Sequence, residues 1–218
     1  MKPFSGSRVL AVMDAAEGIL SDEASAHPPD EGAAMLARHL AGDVSAFPEL
    51  VQRFGPPLIG YFSRSGLERA AAEDLFQEAF ARIHVHAKNY DSRRPFRTWL
   101  FSIAHNLLCS HMRRQRIRGL FSLRRRKDEA GPDTVAAAPG GHNPEGEAAA
   151  REQIEIVRAS LRNLPPKQRE ALLLTVVEGL SQEDAAEALG VPVPTLKTWV
   201  RRGRIQLAAA LAGFEVLS

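Results

Sequence analysis

The stretch from Ser181 to Leu207, SQEDAAEALGVPVPTLKTWVRRGRIQL, has the pattern of two short helices joined by a tight turn. Ser181 and Asp184 have the spacing of a capping box, which begins a helix by satisfying its first backbone N–H groups. Gly190 is expected to end this helix, because glycine adopts the left-handed conformation of a helix stop without steric cost. The stretch therefore predicts a helix-turn-helix motif.

The second predicted helix of this motif is apolar on one side and basic on the other. Its Leu196, Val200 and Leu207 recur at helical spacing and are expected to face a core. The opposite face carries hydroxyl groups and cations, which suit the base edges and phosphates of a DNA major groove. The residues of this face are Thr195, Lys197, Thr198, Arg201, Arg202 and Arg204. A helical hairpin with an ordinary basic surface is the alternative interpretation.

Outward from this motif, the apolar residues keep helical spacing and no segment shows a competing strand pattern. We therefore predict an all-α chain of two small helical domains joined by a flexible linker, the second being a winged-helix-like four-helix domain with the helix-turn-helix. The predicted parts are a flexible N-terminal extension at 1–32, a first domain at 33–127, an acidic linker rich in proline and glycine at 128–146, and a second domain at 147–218.

Glycine and proline mark the predicted helix boundaries. In the first domain we expect four or five helices, with breaks at residues 42–43, 55–57, 66 and 89–95. In the second domain we expect helices at residues 147–163, 166–178, 182–189 and 193–211.

The composition excludes several classes of protein. The 218 residues are 44% hydrophobic and 25% charged, which is ordinary for a globular protein, and no run of eighteen apolar residues could span a bilayer. No signal peptide is apparent, so we expect a cytoplasmic protein without membrane insertion of its own. The single cysteine, Cys109, cannot form an internal disulfide bond.

Histidines could suggest an enzyme or a metal site, but the patterns that would support either are missing. No HExxH, GxSxG or Walker motif accompanies His84, His86, His105 and His111, so we predict a protein that is not an enzyme and needs no cofactor. His105, Cys109 and His111 could supply some ligands of a zinc site. Surface side chains on a helix are the commoner explanation, and no bound metal is expected.

Positive charge is concentrated in two segments, although the net charge of the whole chain is only +2. Residues 88–127 contain twelve Lys and Arg residues and the single acid Asp91, and residues 197–204 form a second basic cluster. The predicted linker between them carries acids and no Lys or Arg. This distribution is typical of nucleic-acid binding, with a solvated helix face as the alternative.

The first domain contains two further candidate sites. Asp74, Gln77 and Glu78 share one helix face, which leaves an acidic and polar surface exposed, with an ordinary solvated surface as the alternative interpretation. Farther along, a core stripe that includes Phe96 is accompanied by cations, an amide and an aromatic ring, a mixture that suits single-stranded nucleic acid. Those accompanying residues are Arg97, Trp99, Asn106 and Arg113. Core packing is the alternative role for Trp99.

Several of these segments together resemble a known family. They are LAGDVSAFPELVQRF (40–54), AAEDLFQEAFARI (71–83), FRTWLFSIAHNLLCSHMRR (96–114) and LPPKQREALLLTVVEGLSQEDAAEALGVPVPTLKTWVRRGRIQL (164–207). In order and spacing they are similar to conserved regions two and four of the extracytoplasmic-function branch of bacterial sigma factors. The resemblance extends from about Met35 to Leu211.

The resemblance implies a subunit that binds core RNA polymerase and directs promoter-specific initiation. The first domain would correspond to sigma region 2 and the second to sigma region 4. The face of Asp74, Gln77 and Glu78 would dock on the clamp helices of the largest polymerase subunit, and the flap of the polymerase is a further implied contact. The acidic linker would pass near the RNA exit path. An anti-sigma factor is a further implied partner.

The resemblance also implies how promoter DNA is bound. Region 2 would hold the melted single strand of the minus-ten element through Lys88, Asn89, Arg93, Arg94, Phe96, Arg97, Trp99, Asn106 and Arg113. Region 4 would recognise the minus-thirty-five element as duplex through the basic face of its second motif helix. A stand-alone helix-turn-helix regulator would explain the second domain alone, and a structural helical adaptor would need neither basic surface.

Overall fold

The computed structural model describes residues 30–125, 157 and 159–215, with side chains described to residue 118 in the first stretch and to residue 211 in the last. The predicted linker and residues 1–29 of the predicted extension lie outside the described residues. Within the described residues every regular element is helical, which confirms the all-α prediction. Two helical domains are present, as expected.

The first domain contains four α-helices. They are α1 Glu31–Leu40, α2 Ala46–Arg64, α3 Arg69–His86 and α4 Phe96–Arg125, with a short 3₁₀ turn at Ala87–Asn89. Each helix packs on the next, and α4 also closes against α1 and α2. Aromatic and aliphatic side chains fill the space between them, with Tyr61, Phe62 and Phe101 fully buried. Helix α1 begins two residues before the predicted start of this domain.

Helix α2 runs through residues 55–57, so the predicted break there is wrong. Pro56 and Pro57 both lie inside the helix. A proline inside a helix removes a backbone hydrogen bond and costs about 3 kcal/mol or more. On either side of the prolines, however, Phe54 and Leu58 are buried in the core. Burying such side chains contributes roughly 1.5–3 kcal/mol each, which offsets a large part of the cost of the two prolines.

The described residues of the second domain form four helical segments around a small aliphatic core. Helical residues at 159–163 precede α5 Pro166–Leu172, which continues as a π-helical turn at Leu173–Val177, followed by α6 Gln182–Ala188 and α7 Val193–Glu215. Helix α7 packs on both α5 and α6, and α6 also packs against α4 of the first domain. The two domains are therefore in direct contact.

Candidate nucleic-acid and polymerase interfaces

The predicted helix-turn-helix is present, and its local signals act as expected. The Ser181 hydroxyl oxygen accepts a hydrogen bond from the backbone N–H of Asp184 at 3.0 Å and donates to that residue's carboxylate at 2.7 Å. After α6, Gly190 has a φ of +63°, the left-handed conformation that glycine adopts most easily. The turn delivers the chain into α7 at Val193.

Helix α7 has one buried face and one exposed basic face. Leu196 and Val200 are buried against the domain core, and Leu207 is half-buried. Of the six residues predicted to contact duplex DNA, Thr195 and Arg204 are half-buried and the other four are exposed. The exposed four are Lys197, Thr198, Arg201 and Arg202. The arrangement presents cations and a hydroxyl group along one exposed side of α7.

The predicted polymerase-binding residues lie together on α3. Asp74 and Gln77 are exposed, and Glu78 is half-buried with its carboxylate 2.6 Å from Arg82 Nη2. The other side of α3 contributes Leu75 to the core. An acidic and polar patch is thus available to a partner on this side of the first domain.

The predicted single-strand residues are divided between exposed positions and positions already in contact. Lys88, Asn89, Arg93, Asn106 and Arg113 are all exposed. The Arg93 guanidinium bonds Asp91 at 2.7 Å, and hydrogen bonds from the Arg93 side chain and backbone lower the pKa of Asp91 to about 2. The Arg93 side chain is 89% exposed, so its remaining N–H donors stay accessible to a phosphate beside this carboxylate.

Phe96 is in the core, so the prediction that its side chain contacts DNA is wrong. Its ring is 0% exposed and lies 4.9 Å from the Phe54 ring, measured between centroids. The residue begins α4 and faces inward, where burial of a phenyl ring is favourable. Its role is to fix the position of the helix that carries the neighbouring candidates.

Trp99 is half-buried, and its ring lies tilted against that of Tyr90, a residue that the sequence did not single out. The two ring centroids are 5.0 Å apart, and both rings pack on the core. Tyr90 also donates a hydrogen bond from its hydroxyl group to the backbone carbonyl of Arg94 at 2.6 Å. An aromatic side chain three residues before a pair of arginines was the available signal for including Tyr90 in the site.

Groups of the second domain contact two of the predicted single-strand residues, Arg94 and Arg97, and also the neighbouring Thr98. Arg97 donates to the Glu178 carbonyl oxygen at 2.6 Å, Thr98 donates to Asp184 Oδ1 at 2.8 Å, and Arg94 forms an ion pair with Glu187. In the same interface, Arg64 donates to Glu178 Oε1 at 2.8 Å, and His105 Nδ1 lies 2.6 Å from Glu170 Oε2. These contacts join two domains whose partner residues are far apart in sequence.

Glu178 is the most deeply buried carboxylate of this interface. Its side chain is 4% exposed, while its partners Arg64 and Arg97 are 30% and 40% exposed. Burial raises the pKa of the Glu178 carboxyl, and the two arginines oppose that shift. A buried carboxylate is tolerated when charged donors satisfy it, as they do here.

The described residues hold no metal-binding cluster. Cys109 Sγ lies 3.5 Å from His105 Nε2, but no group of three or more His, Cys, Asp or Glu side chains in the described stretches is placed to hold a metal ion. None of the helices in those stretches combines the length and the apolar character that crossing a bilayer requires.

Comparisons with known proteins match both domains. The family model described as Sigma-70 region 2 matches residues 50–118, and the one described as Sigma-70, region 4 matches residues 154–207. The chain is 32% identical over 187 residues to the RNA polymerase sigma factor CnrH of Cupriavidus metallidurans, covering 85% of this chain and 96% of CnrH. It is 34% identical over 174 residues to the ECF RNA polymerase sigma factor SigC of Mycobacterium tuberculosis, covering 79% and 83% respectively.

A solved structure is similar as well. The sigma factor RpoE of Bartonella quintana, crystallised in complex with the anti-sigma factor NepR, superposes with a TM-score of 0.63 at 26% sequence identity. The superposition covers 78% of this chain and 98% of RpoE.

Proposed function

Because the chain belongs to the extracytoplasmic-function branch of the RNA polymerase sigma factors, we propose that it contacts promoters at two separate elements. Region 4 binds the minus-thirty-five element as duplex through α7, and region 2 binds the minus-ten element as a melted single strand. As a sigma factor it acts with core RNA polymerase in the cytoplasm and contributes promoter recognition rather than catalysis.

The exposed basic face of α7 is the observation that carries the duplex part of the proposal. Lys197, Thr198, Arg201 and Arg202 lie on one exposed side of a helix that follows a capped, glycine-terminated partner helix. In helix-turn-helix proteins the second helix enters the major groove, which is wide enough to admit it. An arginine that bonds guanine O6 and N7 together contributes about 1–3 kcal/mol of discrimination against other bases.

The end of α3 and the start of α4 support the single-strand part. Exposed Lys88, Asn89 and Arg93 lie on the loop that precedes α4, beside the paired rings of Tyr90 and Trp99. Unstacking a base costs a few kcal/mol, and stacking on an aromatic side chain returns about 1–3 kcal/mol for each base. Cations on the loop add attraction for the phosphates, so the surface suits an already opened strand.

Two protein partners complete the proposal. The patch of Asp74, Gln77 and Glu78 has the exposure and charge for docking on core polymerase through the clamp helices of its largest subunit. The solved relative RpoE binds the anti-sigma factor NepR, and we infer that this chain is held by a partner of the same class. The polymerase flap is the expected contact of region 4.

Access to the single strand requires a rearrangement of the two domains. Arg94 and Arg97 are held by carboxylates and a carbonyl group of region 4. For a DNA strand to use the donors held in these contacts, its phosphates must replace the partners from region 4. Core polymerase, which binds regions 2 and 4 at separate places, would favour the separated arrangement.

The experiment that tests this function is transcription by core polymerase with the purified chain on a library of promoters. A sigma factor gives transcripts from a subset that shares sequence at the minus-thirty-five and minus-ten positions. A stand-alone helix-turn-helix regulator instead binds duplex DNA tightly without polymerase and gives no transcript. That second result would overturn the proposal.

A further inference from the structure

A single carboxylate at the edge of region 2 caps two helices that are far apart in the chain. Asp30 Oδ1 accepts a hydrogen bond from the backbone N–H of Ala33 at 3.0 Å, in the first turn of α1. Asp30 Oδ2 accepts another from the backbone N–H of Phe96 at 2.5 Å, at the first residue of α4. Hydrogen bonds from backbone N–H groups at a helix N-terminus to a carboxylate are among the stronger ones in proteins.

The residues around Asp30 hold the two helix ends in close contact. A Cβ atom on Gly32 would lie 2.2 Å from Phe96 Cδ1, so only glycine permits this approach. Phe96 is itself locked in the core against Phe54. The start of α1 thus fixes the start of α4 by both packing and hydrogen bonding.

The loop before α4 is tied to the same point. Tyr90 packs edge-on against Phe96, with 6.1 Å between ring centroids, and donates its hydroxyl hydrogen to the Arg94 carbonyl at 2.6 Å. Burial, followed by the charge of Asp30, raises the pKa of Tyr90 to about 12. The 88–95 loop thus contacts α4 at Phe96, the residue whose backbone N–H donates to Asp30.

We propose that Asp30 is a positioning residue for strand capture, which fixes the 88–95 loop and the first turn of α4 in the geometry that receives the melted strand. The proposal rests on the single-strand role proposed for region 2. Asp30 touches neither DNA nor polymerase in this account. It acts through the backbone N–H of Phe96.

Three substitutions separate this role from general stability. Asp30→Ser keeps a favourable N-cap for α1, but its side chain has one short acceptor and cannot also serve Phe96. Asp30→Ala removes both caps. Glu31→Gln is the matched control, because it removes one negative charge from the next residue, whose carboxylate pairs only with exposed Arg53 among the contacts described.

The assay compares polymerase holoenzymes made with each full-length variant on one promoter. Five quantities are measured: affinity for core polymerase, affinity for duplex promoter DNA in the closed complex, open-complex yield, binding of a single-stranded minus-ten oligonucleotide, and the melting temperature of the free chain. For Asp30→Ser we expect about a fivefold loss of oligonucleotide binding and of open complex, the factor for one helix cap of about 1 kcal/mol. Closed-complex affinity and polymerase binding should match those of Glu31→Gln.

Two outcomes overturn the proposal. Asp30→Ser could bind the oligonucleotide as well as Glu31→Gln does, or it could lose polymerase binding, duplex binding and thermal stability together, which would indicate a purely structural role. Trp99→Ala distinguishes this failure from failure of the proposed function. If Trp99→Ala weakens oligonucleotide binding and Asp30→Ser does not, only the positioning role is wrong; if neither does, the single-strand surface is misassigned.

Discussion

The contact between the domains leads to a quantitative prediction for Glu178→Gln. The substitution removes a charge that Arg64 Nη2 approaches at 2.8 Å and Arg97 Nη2 at 3.4 Å, while the backbone carbonyl bond to Arg97 remains. A hydrogen bond between charged groups contributes about 1.5–3 kcal/mol. Both arginines are about a third exposed and regain water when the partner is lost, so the lower end applies. We expect the domain contact to weaken by about 1–2 kcal/mol.

Such a loss shifts the equilibrium from the arrangement with the two domains in contact towards the arrangement with the two domains separated by roughly five- to thirtyfold. Fluorophores on the two domains would report a greater mean distance, and the free chain would bind a single-stranded minus-ten oligonucleotide more tightly because the cations of α4 are released. Glu49→Gln is the matched control, since Glu49 pairs with Arg38 inside region 2 at 2.8 Å. If Glu178→Gln and Glu49→Gln have the same domain distance and the same affinity for the oligonucleotide, the proposed covering role of region 4 is refuted.

Three other outcomes test separate parts of the account. Arg201→Ala should cost about 1–3 kcal/mol and relax preference at one or two minus-thirty-five positions, measured by binding across single-base changes; an equal loss on every promoter would exclude base recognition. Asp74→Lys with Glu78→Lys should weaken binding to core polymerase while helical content by circular dichroism stays the same, and undiminished binding would contradict the docking site. Hydrogen bonds from Ser45 and Arg38 lower the pKa of Asp43 from 3.8 to about 2. The Asp43 carboxylate should therefore stabilise the α1–α2 junction above pH 3.8 and lose that effect as the pH falls towards 2. If Asp43→Asn has the same thermal stability as the parent at pH 7, the carboxylate contributes nothing there.

The parts of the fold that could be predicted from sequence are those determined by residues close together along the chain. The helix-turn-helix could be located because Ser181, Asp184 and Gly190 begin or end a helix through contacts and backbone conformation within about one helical turn of their own positions. The interruption expected at residues 55–57 was wrong because its basis was also local, namely the helix-breaking tendency of proline. Whether a helix continues there depends on the burial of Phe54 and its neighbours, which is decided by other helices.

The same distinction applies to the candidate sites. The exposed face of α7 followed from helical periodicity, but Phe96 was assigned to DNA although its ring fills the core. Asp30 and Glu178 escaped notice because their partners lie 66 and 114 residues away, at Phe96 and Arg64. No periodicity or spacing links residues at such distances. Contacts of this kind become visible only when the helices are placed side by side.

The pairs between regions 2 and 4 also bear on the construction of chimeras from related chains. Exchanging region 4 for that of a relative would preserve the internal core of each half, yet Glu178, Asp184 and Glu187 would be replaced by whatever the donor carries. A region 4 from a relative that lacks acidic residues at those positions could not form these ion pairs and hydrogen bonds with region 2. Each region would keep its own promoter preference, but the hybrid would lose the contacts by which region 4 holds the arginines of region 2. The activity of such a hybrid would therefore depend on whether its two regions can pair as well as on the DNA sequence that each prefers.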